Sequence, residues 1–331
     1  MSYPNSTIPE DEIVKKILTA VLAAAVGLVC LAGCSSQSTQ STANAENANS
    51  KIQVVASFYP MADFAKKIGG DRVQVMNLVP AGTEPHDWEP STNDMKTLSS
   101  AKLFIYNGAG MEKWVDNTLS SIGNDSLVQV EASKGITLRA AAKDEHEEEE
   151  GEEEHESSQY DPHVWLSPMN AKTEMANIRD GLIKADPDGE SVYRENYEKY
   201  ASELDALDQE YKDQLAKTTS KNIVVSHQAF GYLCDAYGLN QLAIEGIDAD
   251  SEPDAKTMAA IADFVKQNNV KTIFSEELVS PKVAQTIADE TGAACEELNP
   301  LEGLSDDDLA AGKDYFSVMR ENLDKLVKAL S

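Results

Sequence analysis

Residues 187–216, PDGESVYRENYEKYASELDALDQEYKDQLA, carry a single apolar and aromatic stripe. Tyr193, Tyr197, Tyr200, Leu204, Leu207, Tyr211 and Leu215 recur there at steps of three and four. That period puts all seven on one face of an α-helix. Asp186 can cap its start, and Pro187 fits the first turn, where a missing N–H costs nothing. At about 1.5 Å per residue the stretch makes a rod of roughly 45 Å, long enough to cross a small domain. A coiled-coil face for a partner is the alternative use of such a stripe.

On both sides of this helix the chain alternates short strand-like runs with helical patterns. Before it come strands at residues 52–58, 73–79, 103–107 and 127–130, with helices at 62–68, 93–101 and 114–122. After it come strands at 222–226, 241–244, 272–275 and 294–298, with helices at 229–237, 254–267, 281–291 and 315–329. Alternating strand and helix means a mostly parallel sheet covered on both faces. The expected fold class is therefore α/β. Two similar lobes with central, mostly parallel sheets, residues 51–186 and 220–331, are joined by one long rigid helix over 187–219. One stiff crossing predicts lobes that move little against each other.

The chain has 331 residues and a formal net charge of −29. Residues 143–156 hold ten acids and one lysine, leaving −20 on the rest, so the excess is global. Nucleic acid is excluded as a partner, because its phosphates demand clustered Lys and Arg. An acidic surface suits a protein that meets cations. Four cysteines, Cys30, Cys34, Cys234 and Cys295, are too few for a disulfide scaffold and show no zinc-type CxxC spacing. Cys234 and Cys295 either pair or remain two separate thiols.

Lys15 and Lys16 precede an apolar run over 17–33 that ends in Leu31-Ala32-Gly33-Cys34 and a polar stretch. A basic start, a short apolar core and small residues before a cut read as an export signal over 1–33, with a polar tether at 34–50. The Leu-Ala-Gly-Cys ending resembles the bacterial lipobox, which implies that Cys34 is acylated and anchors the mature protein to a membrane. The run is marginal for a span of about 20 residues. The acidic residues before Val14 fit no signal sequence, and translation starting near Val14 would remove them.

With only five histidines, His86, His146, His155, His163 and His227, each one needs a reason. His86 lies in GTEPHDWEPS (82–91) after a strand, and His163 in YDPHVWLSP (160–168) just ahead of a helix beginning near Pro168. His227 lies in SHQAFGYL (226–233) at a strand end, and Glu302 in NPLEGL (299–304) beyond another. Open α/β sheets place ligands near the carboxyl ends of their strands. Three neutral imidazoles and one carboxylate make a closed tetrahedral shell for a borderline cation such as Zn²⁺. Asp87 and Asp161 are candidate acceptors for fixing a histidine tautomer, and spacing does not choose between them. Trp88 and Trp165 either wall the site from water or pack in a core.

The lipobox, GTEPHDWEPS, DPHVWLSP, the strand-end SHQAFGYL and NPLEGL occur in this order, separated by a long helix. This set resembles the metal-binding lipoproteins of bacterial zinc and manganese ABC transporters, across essentially all of residues 51–331. The resemblance implies two α/β lobes with metal in the cleft between them, the ligands falling on His86, His163, His227 and Glu302. It also implies an extracytoplasmic, lipid-anchored monomer that delivers its metal to a membrane permease and does no chemistry itself. Manganese members offer more oxygen, so a histidine at position 227 favours Zn²⁺ over Mn²⁺. An acidic insertion, DEHEEEEGEEEHE over 144–156 with His146 and His155, stands where zinc members carry a histidine-rich one. It is either a weak metal-capture loop or a solvated chain. Glu84, next to the first histidine, a water, or a histidine of the insertion is the alternative to Glu302 as fourth ligand. Three further readings remain: a manganese carrier, an adhesin of the same family, and a zinc hydrolase, which the missing HExxH disfavours.

Overall fold

The computed structural model describes residues 51–141, 159–247 and 253–331. The expectations placed on 1–33, Cys34, the tether 34–50 and the insertion with His146 and His155 lie outside those residues. Among the described residues no helix is long and apolar enough to cross a membrane.

The first lobe is built on β1 (Ile52–Ala56), β2 (Val73–Asn77), β3 (Leu103–Tyr106) and β4 (Val128–Glu131), all parallel and in the order β2-β1-β3-β4. The second lobe repeats that order as β6-β5-β7-β8, with β5 (Asn222–Val225), β6 (Asn240–Ala243), β7 (Thr272–Ser275) and β8 (Ala294–Glu297). Parallel neighbours need crossovers. In the first lobe α1 (Tyr59–Gly69), α2 (Thr92–Ser100) and α3 (Val115–Ile122) supply them. After α4 (Pro168–Ala185) and α5 (Glu190–Leu215), the second lobe uses α6 (Gly231–Tyr237), α7 (Ala255–Gln267) and α8 (Lys282–Thr291). The chain ends with α9 (Asp306–Ala310) and α10 (Tyr315–Leu330). In each sheet the winding reverses between the two central strands. The carboxyl ends of β1 and β3, and of β5 and β7, are therefore switch points where ligands bind.

The tyrosine-leucine stripe faces inward. Tyr193, Leu204, Leu207, Tyr211 and Leu215 are buried, and Tyr197 and Tyr200 are half-buried against the same core. One contiguous apolar cluster runs from Val54 and Leu103 through Leu204 and Tyr211 to Ile223, Leu298 and Leu326. A shared core of this kind resists hinge motion, because packed interiors do not deform continuously. The helix itself is 26 residues, starting at Glu190 after a 3-10 turn at Pro187–Gly189. Asp186 does not cap it as its position suggests. Its carboxylate is taken by the Arg72 guanidinium, at 2.8 and 3.0 Å, and by the Tyr193 hydroxyl at 2.6 Å. A bidentate charge-assisted pair outcompetes a bond to a backbone N–H. Gly189 leaves room for it, since a Cβ there would stand 2.5 Å from both Arg72 Nε and Tyr193 Cε2. Cys234 and Cys295 are free, and burial pushes the Cys234 thiol up to about 12.

Glu174 on α4 is fully buried, and neither of its carboxylate oxygens has a hydrogen-bond partner. Burial, and then the nearby Glu112, raise its pKa well above the usual carboxylate range. Above the unfolded carboxyl value the folded state holds a proton that the unfolded state releases, so stability falls with rising pH. Glu174→Gln removes that liability. Thermal melts of the variant at pH 8 rise by several degrees over the parent, and the gap closes toward pH 4. An unchanged gap across that range overturns the assignment.

Candidate metal centre

His86 sits in the loop between β2 and α2, which a capping box at Ser91 and Asp94 closes as the helix begins. Both oxygens of Glu84 turn back onto the His86 backbone N–H, at 3.0 and 3.1 Å. His163 immediately precedes a 3-10 turn that leads into α4. Its loop is pinned to the first switch point by the Asn107 amide, which donates to the Pro162 carbonyl at 3.0 Å. His227 lies two residues after β5, on the second switch point. Glu302 follows Leu301, whose φ of +60° is unfavourable for a branched side chain. Asn299 Oδ1 accepts from Leu301 N–H at 2.7 Å, and Asn322 on α10 bonds both backbone groups of Asn299, at 3.0 and 2.7 Å. That buried network fixes the turn presenting the carboxylate.

These four side chains converge. His86 is 6 % exposed, Glu302 2 %, and His163 and His227 are fully buried. Glu302 Oε1 lies 3.1 Å from His86 Nε2, 2.8 Å from His163 Nε2 and 3.1 Å from His227 Nε2. His163 Nε2 is 3.2 Å from Nε2 of each of the other two histidines. A tetrahedral zinc shell at about 2.0–2.1 Å has edges of roughly 3.3 Å, close to these separations. Asp161 Oδ1 faces His163 Nδ1 at 2.9 Å, and Glu276 Oε2 faces His227 Nδ1 at 2.6 Å. A carboxylate only accepts, so both Nδ1 atoms carry protons, and both Nε2 atoms face inward as the positions that a proton or a metal ion can take. Lone pairs and an anion aimed at one dry point repel one another unless a cation stands there.

Electrostatics point the same way. Burial disfavours a charged His227, yet Glu276 and Glu302 outweigh it and hold its pKa well above the ordinary value. Burial likewise opposes a charged His163, and Asp161 and Glu302 outweigh it. Burial would raise Glu302, but His227, His86 and His163 hold it well below the carboxylate range. Protons and a metal cation therefore compete for the same lone pairs. His86 also borders a cavity of about 380 Å³ lined by Trp88, Met95, Lys113 and Trp114. Of the three converging imidazoles it is the one nearest solvent.

The sequence-derived quartet of His86, His163, His227 and Glu302 is thus brought together. Glu84 is turned onto the backbone beside it. Of the two aspartates, Asp161 orients a histidine, and Asp87 is exposed. Trp165 is fully buried, with its ring 5.3 Å from that of His163, whereas Trp88 packs edge-to-face on Trp114 at 5.5 Å. Glu276 went unread in the sequence. It directly follows β7, the strand paired with β5, so the strand-end rule that found His227 points to it as well.

Two parallel-sheet lobes sharing one core, with three imidazoles and a carboxylate converging between them, define a metal-binding solute-binding protein. The model of the zinc-uptake complex component A family, periplasmic (ZnuA), matches residues 54–329, and the chain belongs to that family. It is 42% identical over 310 residues to the high-affinity zinc uptake system protein ZnuA of Bacillus subtilis, covering 94% of this chain and 96% of that one. It is 36% identical over 312 residues to the zinc-binding lipoprotein AdcA of Streptococcus pneumoniae, of which it spans 60%. The crystal structure of the Zn(II)-bound ZnuA-like domain of that AdcA matches with a TM-score of 0.72 and 35% identity, over 85% of this chain and 99% of that one. The laminin-binding protein Lmb of Streptococcus agalactiae, described as an adhesin with metal-transporting activity, matches with a TM-score of 0.74 and 34% identity, over 85% of this chain and all of that one.

Proposed function

We propose that this chain captures Zn²⁺ outside the cytoplasm and hands it to the membrane permease of an ABC uptake system. In this reading residues 1–33 direct export, Cys34 carries the lipid, and residues 34–50 tether the two lobes to the membrane. The ligands are His86, His163, His227 and Glu302. The observation that supports this most directly is the convergence of three Nε2 atoms and Glu302 Oε1 in a buried site. Three nitrogens with one oxygen favour Zn²⁺ over Mn²⁺. Glu302 fills the fourth position, where a zinc hydrolase would keep a water, so cargo binding rather than hydrolysis fits the shell. Calorimetric titration of metal-stripped residues 51–331 tests this reading: one Zn²⁺ binds tightly per chain, and Mn²⁺ binds far more weakly. Comparable manganese affinity, or hydrolytic turnover by the zinc form, rejects it.

A further inference from the structure

Behind His163, on the side away from the metal centre, lies a second cluster joined to the metal shell through Asp161. Arg139 stands on the strand-like stem just before the acidic insertion, where Ala140 pairs antiparallel with Tyr160 and Asp161 N–H donates to the Arg139 carbonyl at 2.9 Å. Its Nε donates to Asp235 on α6 at 3.1 Å, and its Nη1 lies 3.6 Å from Asp161 Oδ2. Tyr232, also on α6, accepts from the Arg139 backbone N–H at 2.8 Å and donates to the Asp161 carbonyl at 2.9 Å. One helix of the second lobe thus grips the segment carrying Asp161 and His163.

Asp161 is fully buried, and its Oδ1 is committed to the His163 backbone N–H at 3.0 Å and to Nδ1 at 2.9 Å. Its Oδ2 is buried without a hydrogen-bond partner and has the Arg139 guanidinium as its counter-charge. A buried carboxylate left without a cation is costly, and relaxing that cost means moving the group toward water. Such a move would carry the His163 ring with it. Gly231, the first residue of α6, fits the arrangement: a Cβ there would collide with Arg139 Nη1 and lie 2.5 Å from Asp161 Oδ2. His227 lies four residues before Gly231, so the short loop entering α6 joins one histidine of the cluster to the clamp behind another.

We propose that Arg139 is a positioning residue for the metal site. Its guanidinium, shared between Asp161 and Asp235, holds His163 in register with His227 across the two lobes and sets how fast the metal leaves. This rests on the zinc-carrier reading and goes beyond it by placing release control on a residue that touches no metal.

The test uses the mature chain and compares the parent with Arg139→Gln, Arg139→Lys and Gly231→Ala. Lys172→Gln serves as a control, since it removes the same charge from an exposed pair with Asp205. Zinc release into excess chelator is followed by stopped flow, and Co²⁺ is substituted to read coordination geometry from its visible bands. Loss of an orienting partner costs roughly 10- to 100-fold in metal affinity. Arg139 acts one contact further out, through Asp161, so Arg139→Gln releases zinc several-fold to about 10-fold faster and changes the Co²⁺ bands, and Arg139→Lys recovers part of the loss. Gly231→Ala shifts both readouts the same way with no change of charge, and the control leaves them unchanged. Parent-like release and parent-like Co²⁺ bands in both Arg139→Gln and Gly231→Ala overturn the proposal. A parent chain that takes up no zinc would instead sink the carrier reading on which it stands.

Discussion

His227→Ala weakens zinc binding by more than about 100-fold, because removing even a partner that only orients a ligand costs about 10- to 100-fold. Three features concentrate the loss there. The imidazole is fully buried, so no side chain from the surface replaces it. Its Nε2 meets both Glu302 Oε1 and His163 Nε2, at 3.1 and 3.2 Å, so its removal opens two edges of the shell together. Glu276, which accepts from the His227 ring and backbone, is left as a buried carboxylate facing a gap. A chain lacking residues 144–156 keeps the tight site, since His86, His163, His227 and Glu302 all lie outside that segment. Calorimetry on the two variants side by side reads both effects. Parent-like affinity in His227→Ala, or collapse on deleting the insertion, places the cargo elsewhere.

Trp165→Ala destabilises the folded chain by about 3–5 kcal/mol, the usual cost of emptying a buried tryptophan site. For a chain of this size that lowers the melting temperature by roughly 10 °C. Trp165 is fully buried, packs edge-to-face on Phe58 at 5.0 Å, and donates from Nε1 to the Pro300 carbonyl at 2.8 Å. Its own carbonyl accepts from the buried Tyr315 hydroxyl on α10 at 2.7 Å. The side chain thus fills the seam between the loops carrying His163 and Glu302, and its loss also weakens zinc binding. Trp88, half-buried on the outer loop, gives the comparison: Trp88→Ala costs markedly less. Equal melting temperatures for the two variants would mean that the seam contributes nothing special.

Much of this was legible in the chain because the relevant signals are local. The 3,4 spacing of tyrosines and leucines fixed α5 to within a few residues, and alternating runs located all eight strands of the described residues. Strand-end positions singled out His86, His227 and Glu302, and the DPHVW stretch singled out His163. Errors fell where a distant partner competes with a neighbour. Asp186 sits where a cap belongs, but Arg72, 114 residues away in sequence, takes its carboxylate instead.

The sequence by itself therefore determined the α/β class, the long helix and the three histidines that converge, and left the fourth position between Glu302 and its alternatives. These follow from periodicity and from residue type at strand ends, which short-range sterics and burial enforce. Only the tertiary structure decided which carboxylate serves which histidine. Asp161 reaches His163 from two residues away, whereas Glu276 reaches His227 across 49 residues because β5 and β7 lie side by side. It also decided that Glu84 turns to its own backbone while Glu302 enters the cluster, and that Arg139 stands behind Asp161. Those choices depend on distances closed by the shared core, which no local spacing encodes.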